Sequence, residues 1–428
     1  MIFRAYDVRG VYGEDLTDET MEDIGRALGT FAGHGEVLVA GDCRLSTGSL
    51  KSALVSGLIS TGCGVLLVKE PVPFGLALFT GKKADIVAYV TASHSPAEWN
   101  GVKFYRSDGV ALSNGENKKI LELFESKRFA SGEGSLQELK PAMKDYVSYM
   151  KKNFPVKKKV RIVVDTGNGA TSKVVPKVLA AIGCDVTTLF DEPDGRFPNR
   201  KPDVRKEDVE KLTETVKKVK ADLGVAFDGD GDRMAVVDDT GRYLEPEEIA
   251  FIIARNLGGR KVVATVECSR ILDDLGFEIV RIPVGHTYLT KASQDRDVVV
   301  GVEASGHLTV PSYSPFDDAV LVACKFCQVV AGHKLSDEAD KIPHYMRRRT
   351  NFDCSDEKKF QIVESLKRGV KGNVDTMDGL RINFGDAWVL IRASNTGPLI
   401  RMTVEAKDEK RMEELEKIYG SMVRRETG

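Results

Sequence analysis

Four short segments of the 428-residue chain carry reactive side chains at spacings suited to chemistry. Residues 221–239 read ADLGVAFDGDGDRMAVVDD, in which Asp228, Asp230 and Asp232 alternate with Gly229 and Gly231 between two apolar runs. Three carboxylates so close repel one another unless a cation or a proton offsets them. Hard divalent cations take oxygen ligands, and glycines let a tight wrap bring alternate carboxylates to one point. Arg233 follows at once and is placed to hold an anion beside such a metal. An acidic hairpin turn has the same composition. The glutamate that closes an EF-hand loop is missing.

In residues 85–105, DIVAYVTASHSPAEWNGVKFY, an apolar run ends in a polar turn with Ser93 beside His94, and Lys103 lies just beyond. A serine at the end of a buried strand beside a histidine is a place for a nucleophile, or an ordinary Ser/Pro turn. The G-x-S-x-G frame of a hydrolase elbow is absent. In residues 388–405, Arg392, Ser394, Asn395, Thr396 and the amide of Gly397 share one loop, with Arg401 beyond it. Hydroxyls, exposed amides and guanidinium suit a phosphate, and equally suit a polar turn. The last segment joins PVGHTYLTK and VGVEASGHL, bringing His286, Glu303, Ser305 and His307 within a short stretch. Glu303 and Ser305 offer acceptors to sugar hydroxyls, and histidines titrate near neutrality.

The elements that must position these groups repeat along the chain. An apolar run, a helical stretch ending in glycine, and a second apolar run occur at 37–65, 161–186 and 261–279, with Gly62, Gly183 and Gly276 as left-handed helix ends. Such units predict parallel strands joined by right-handed crossovers. From about residue 352 the order changes to helix, strand, strand, strand, helix, which predicts a small α+β domain. The expected fold is three similar α/β domains with mixed or parallel sheets plus a C-terminal α+β domain. The expected spans are 1–149, 150–241, 242–348 and 349–428. Arg347, Arg348 and Arg349 read as a charged joint, and the last domain as a mobile lid.

Composition narrows the class. With 62 Lys+Arg against 64 Asp+Glu the net charge is −2, so no basic field favours nucleic acid or an anionic membrane. Charges interrupt every apolar run before a membrane span is reached, and the first residues lack a signal-peptide core. Seven scattered cysteines favour reduced thiols and a cytoplasmic protein. Cys324 and Cys327, in an apolar helical stretch, read as structural.

Together, and in order, these segments resemble the α-D-phosphohexomutase family, the phosphomannomutase/phosphoglucomutases. The opening Phe3-Arg4-Ala5-Tyr6-Asp7-Val8-Arg9-Gly10 is similar to that family's start, and Phe316-Asp317-Asp318 is a smaller echo. The resemblance implies interconversion of hexose 1-phosphate and hexose 6-phosphate, of mannose or glucose, through phosphorylated Ser93 and a bound hexose 1,6-bisphosphate. It implies Mg²⁺ on Asp228, Asp230, Asp232 and Ser93. His94, Lys103, Arg9 and His286 would take catalytic roles. Glu303, Ser305, His307, Arg233, Arg392, Ser394, Asn395, Thr396 and Arg401 would bind substrate. The partners implied are small sugar phosphates, for a monomer or homodimer. Phosphoglucosamine mutase, a low-turnover sugar-phosphate-binding homologue and a metal-dependent phosphatase stand as alternatives. Three positions depart from the family pattern: Ser95 replaces the usual Asn, Gly397 the usual Glu, and Glu267 stands where some members carry Lys.

Overall fold

The computed structural model describes residues 2–3, 7–370, 372–394 and 397–427. They form four sheets, each with its own helices. In the first, Glu36–Gly41 pairs in parallel with Gly64–Val68 and with Ile86–Val90. The strand Trp99–Arg106 then returns antiparallel beside Ile86–Val90. Ile86–Val90 is buried throughout, as a parallel strand covered on both faces must be.

The second and third sheets repeat this plan. Leu223–Phe227 pairs in parallel with Arg161–Asp165 and is followed by the antiparallel return Met234–Asp238. Val298–Val302 pairs in parallel with Lys261–Thr265 and is followed by the return Leu308–Thr309. One connection therefore occupies the same topological place in all three units: the turn after a buried parallel strand, before its antiparallel return. Those turns carry Ser93, the three aspartates and Glu303. Loops at the carboxyl ends of parallel strands are the usual ligand sites of α/β sheets. The three expected helix ends hold as well, with Gly62, Gly183 and Gly276 at φ of 88°, 110° and 79°.

The fourth sheet is antiparallel, in the order Met346–Asp353, Leu399–Ala406, Ala387–Ala393, Leu380–Phe384, Val374–Asp375. Its first strand went unread in the sequence, so the α+β unit begins with a strand and not with the helix Lys359–Gly369. Arg347, Arg348 and Arg349 lie inside that strand rather than in a joint. Arg347 spans 2.7 Å to both Glu245 and Glu247, the latter fully buried, and so ties the fourth sheet to the third unit. Residue 149, where a first boundary was expected, lies within the helix Met143–Asn153.

Apolar packing divides differently from the sheets. One continuous core runs from Leu38 to Tyr345 through the first three units, whereas residues 352–423 build a separate core. Val266 with Trp388 and Leu390 forms the small apolar seam between them. Cys324 and Cys327 are free, fully buried members of the large core on the helix Ala319–Val330.

Trp388 is 1% exposed, donates its indole N–H to Glu405 Oε1 at 2.7 Å and lies under the Arg381 guanidinium at 4.3 Å. Trp388→Ala should destabilise the last unit by about 3–5 kcal/mol. In calorimetry its transition should separate and move down while the main transition stays; a single transition moving as a whole would show one cooperative block.

Candidate active site

Ser93 sits at φ 50°, in a left-handed turn just past the end of Ile86–Val90. Its Oγ donates to Asp228 Oδ2 at 2.8 Å, and its N–H donates to Thr91 Oγ1 at 2.8 Å. Close approach of the two loops demands Gly229: a Cβ there would stand 2.6 Å from the Ser93 carbonyl. Arg44 holds the serine turn from beneath. Its guanidinium donates to the carbonyls of Ser93, Ser95, Pro96 and Trp99 at 2.5–2.9 Å and is fixed by Asp42 at 3.0 Å. Neither Arg44 nor Asp42 was singled out in the sequence. The one available signal was Asp42 at the carboxyl end of an apolar parallel strand.

Asp228, Asp230 and Asp232 are buried to 1% exposure or less, with carboxylate oxygens within 4.8 Å of one another. Burial and then Asp232 push the Asp228 carboxyl well above the usual carboxylate range, and the same causes raise Asp230. Asp232 escapes: burial works against its charge, but Lys103, His307 and Arg233 together outweigh it and hold the carboxyl well below that range. The Lys103 ammonium lies 2.5 Å from Asp232 and 3.3 Å from Asp230. Burial works against the charge of this lysine, yet the two aspartates raise its pKa above the ordinary value. Asp230 Oδ1 and Asp232 Oδ1 are buried without a hydrogen bond among the described residues. Two orphaned buried carboxylate oxygens at a point of mutual repulsion fit a hard divalent cation.

Above this floor opens a cleft of about 860 Å³ to which all four units contribute. Its lining brings together Arg9, His94, Lys103, Arg233, His286, Glu303, Ser305, His307, Arg392, Ser394 and Arg401. Ser93 and the aspartates lie beneath that lining, fully buried. Asn395 and Thr396 fall outside the described residues. Arg9 donates to Ser95 Oγ at 3.0 Å and pairs with Asp7 at 2.6 Å. Ser95, the Asn replacement, thus meets the cleft through Arg9. The Arg233 Nε–H donates to His307 Nε2 at 2.9 Å, and His307 Nδ1 stands 2.6 Å from Asp317 Oδ2.

The histidines differ in how readily they take a proton. Burial, then the Lys103 charge, lowers His286 to about 4, so it is neutral near pH 7. Burial, then Arg233, holds His94 well below the ordinary value. Burial opposes charge on His307 as well, but Asp232 and Asp317 outweigh it and raise its pKa. In the third unit's turn, Glu303 is oriented by the Gly285 N–H at 3.0 Å and the Ser305 hydroxyl at 2.6 Å. At the far wall Arg392 is 3% exposed, and its Nε and Nη2 make no hydrogen bond among the described residues. Lys359 secures that loop through the carbonyls of Ser394 and Gly397 at 2.6 and 3.0 Å.

The raised carboxyls of Asp228 and Asp230 make protons compete with a cation, so cation binding should strengthen as pH rises. Millimolar Mg²⁺ should therefore raise the melting temperature more at pH 8 than at pH 6. Asp230→Asn should abolish most of the shift. A shift of equal size in that variant would remove the aspartates as ligands.

Four family descriptions match the chain: "Phosphoglucomutase/phosphomannomutase, alpha/beta/alpha domain I" over residues 1–131, domain II over 144–241, domain III over 245–345, and the C-terminal domain over 350–418. A probable phosphoglucosamine mutase of Methanopyrus kandleri is 34% identical, the match covering 99% of this chain and 98% of that protein. A phosphomannomutase/phosphoglucomutase of Pseudomonas aeruginosa is 33% identical over 99% of this chain and 95% of its own. The crystal structure of a phosphoglucomutase/phosphomannomutase family protein from Burkholderia thailandensis superposes with a TM-score of 0.90 at 27% identity, covering 99% of this chain and 96% of that one. With every one of its four units matched, this chain belongs to the phosphoglucomutase/phosphomannomutase family, the phosphohexomutases, whose members are isomerases.

Proposed function

We propose that this enzyme interconverts hexose 1-phosphate and hexose 6-phosphate, with mannose or glucose as the sugar, by way of phosphorylated Ser93. The observation that carries the reading is the Ser93 Oγ at 2.8 Å from Asp228, inside a buried three-carboxylate cluster beneath a cleft walled by guanidinium groups. In the first half-reaction the bond from phosphorus to Ser93 Oγ breaks and one from phosphorus to the sugar's free hydroxyl forms. The sugar is then a 1,6-bisphosphate. It turns over, and the second half-reaction returns the other phosphoryl to Ser93 Oγ.

Asp228, Asp230, Asp232 and Ser93 would hold Mg²⁺, which when bound offsets charge on the serine-linked phosphoryl and on the leaving oxygen. Lys103 and Arg233 neutralise the travelling phosphoryl from either side of the aspartates. Glu303 and Ser305 take sugar hydroxyls, and Arg392, Ser394 and Arg401 take the distal phosphate. Arg9, held by Asp7 and Ser95, reaches the serine turn. His286, neutral near pH 7, is free of the charge that would stop it accepting the sugar hydroxyl's proton; its depressed pKa makes it a weak base. His94, beside Ser93 and in the cleft lining, completes the catalytic set.

A second sugar has support of its own. Relatives of near-equal identity bear both names, phosphoglucosamine mutase and phosphomannomutase/phosphoglucomutase. Glucosamine phosphates are therefore the alternative substrate. The seven cysteines are free thiols, in keeping with a cytoplasmic enzyme.

Coupled assays with mannose, glucose and glucosamine 1-phosphates, each with catalytic bisphosphate, rank the sugars; inertness on all three would end the mutase reading. Protein treated with glucose 1,6-bisphosphate should gain one phosphate by intact mass, and Ser93→Ala should gain none. Arg392→Ala should raise KM and lower kcat together, because the distal phosphate is held in ground and transition states alike; a change in KM alone would confine Arg392 to initial binding.

A further inference from the structure

We infer that Glu267 is the built-in counter-ion of the distal phosphate site, and that its carboxylate sets how tightly this enzyme holds the phosphate of its substrate. The inference rests on the function proposed above for the identity of the phosphate-bearing ligand. Its own support is the charge arrangement of one wall of the cleft.

Glu267 follows the strand Lys261–Thr265 at its carboxyl end, is 5% exposed and lines the cleft. Its Oε1 has no hydrogen bond among the described residues. The cation facing it is Arg349, whose Nη2 lies 3.6 Å away on the first strand of the fourth sheet. Behind Arg349 the guanidinium groups crowd. Arg401 and Arg392 are direct cross-strand partners, and Arg205 from the second unit lines the same cleft. Burial, then the Arg349 charge, lowers the Arg401 pKa, and Glu267 acts in the opposite direction. Arg205 pairs with Asp203 at 2.9 Å, and Arg392 has Asp378 at 3.4 Å. For Arg349 and Arg401 the carboxylate at hand is Glu267.

A crowd of guanidinium groups repels itself, and an arriving phosphate relieves that repulsion. A fixed carboxylate in the same place supplies part of the relief before the phosphate arrives, and then repels it. Glu267 therefore keeps the arginines together in the empty site and weakens the ligand's hold in the filled one. Arg392 Nη2, buried in the same cleft wall and without a hydrogen bond among the described residues, marks where the phosphate completes the set. Arg349, which the sequence offered only as a joint, becomes a phosphate-binding residue that exchanges one anion for another. Weak hold on the distal phosphate would let the bisphosphate escape between half-reactions and make turnover depend on added bisphosphate.

Titration calorimetry with inorganic phosphate, and with glucose 1,6-bisphosphate, tests this in the full chain. Glu267→Gln, the same shape without the charge, should bind both about tenfold more tightly. Glu267→Asp, which keeps the charge, should stay within about twofold of the unaltered protein. In an Arg349→Ala background the gain from Glu267→Gln should shrink toward nothing. Unchanged or weaker binding by the Gln variant overturns the inference, as does equal tightening by the Asp variant. Were the Gln variant not to fold, loss of phosphate affinity in Arg349→Ala would uphold the exchange, and unaltered affinity there would overturn it. The affinity for inorganic phosphate needs no turnover, so an inert enzyme would sink the mutase proposal and leave this one standing. A working mutase whose Gln variant binds no tighter would sink this one alone.

Discussion

Three carboxylates taken out of water within five residues set the terms for everything around them. Burial and mutual repulsion push the Asp228 and Asp230 carboxyls toward the protonated form. The protein answers with a buried lysine placed against two of them, an arginine fixed by a histidine, and two carboxylate oxygens left open. Such an arrangement is costly in stability and useful in phosphoryl transfer, where charge must be met by charge already in place.

The repeated sheet plan delivers this arrangement economically. In three successive units one turn, between a buried parallel strand and its antiparallel return, faces a common cleft. The first turn brings a hydroxyl, the second three carboxylates, the third a single glutamate. Precision comes from backbone contacts: Gly229 passes against the Ser93 carbonyl, and Arg44 gathers the carbonyls of the serine turn. The fourth unit, with its own core, contributes guanidinium groups from the far side. The cleft thus has an acidic floor and a basic wall, which suits the sugar phosphate proposed as substrate.

Much of this was legible in the sequence because local rules govern it. Glycines at helix ends, unbroken apolar runs and the Asp-Gly alternation are short-range signals, and each corresponds to what the fold contains. What escaped depends on distant partners. Met346–Asp353 reads as polar chain because it is an edge strand held by pairing with Leu399–Ala406, and edges tolerate charge. Arg44 is one arginine among many until four carbonyls from the serine turn converge on it. Arg347 and Arg349 looked like a joint because the sequence does not show that Glu247 and Glu267 lie opposite them. The histidines could not be ranked for the same reason: their difference comes from Lys103 near one and Asp232 with Asp317 near the other.

The central claim is that Ser93 and the three aspartates act as one unit, in which the phosphoryl group and the cation need each other. Magnesium affinity, measured by calorimetry on the protein with Ser93 phosphorylated and again after its phosphate has been removed, tests that claim most directly. The account predicts at least about tenfold tighter binding to the phosphorylated form, because the phosphate adds strong oxygen ligands at Asp228. Equal affinity in the two forms would contradict it.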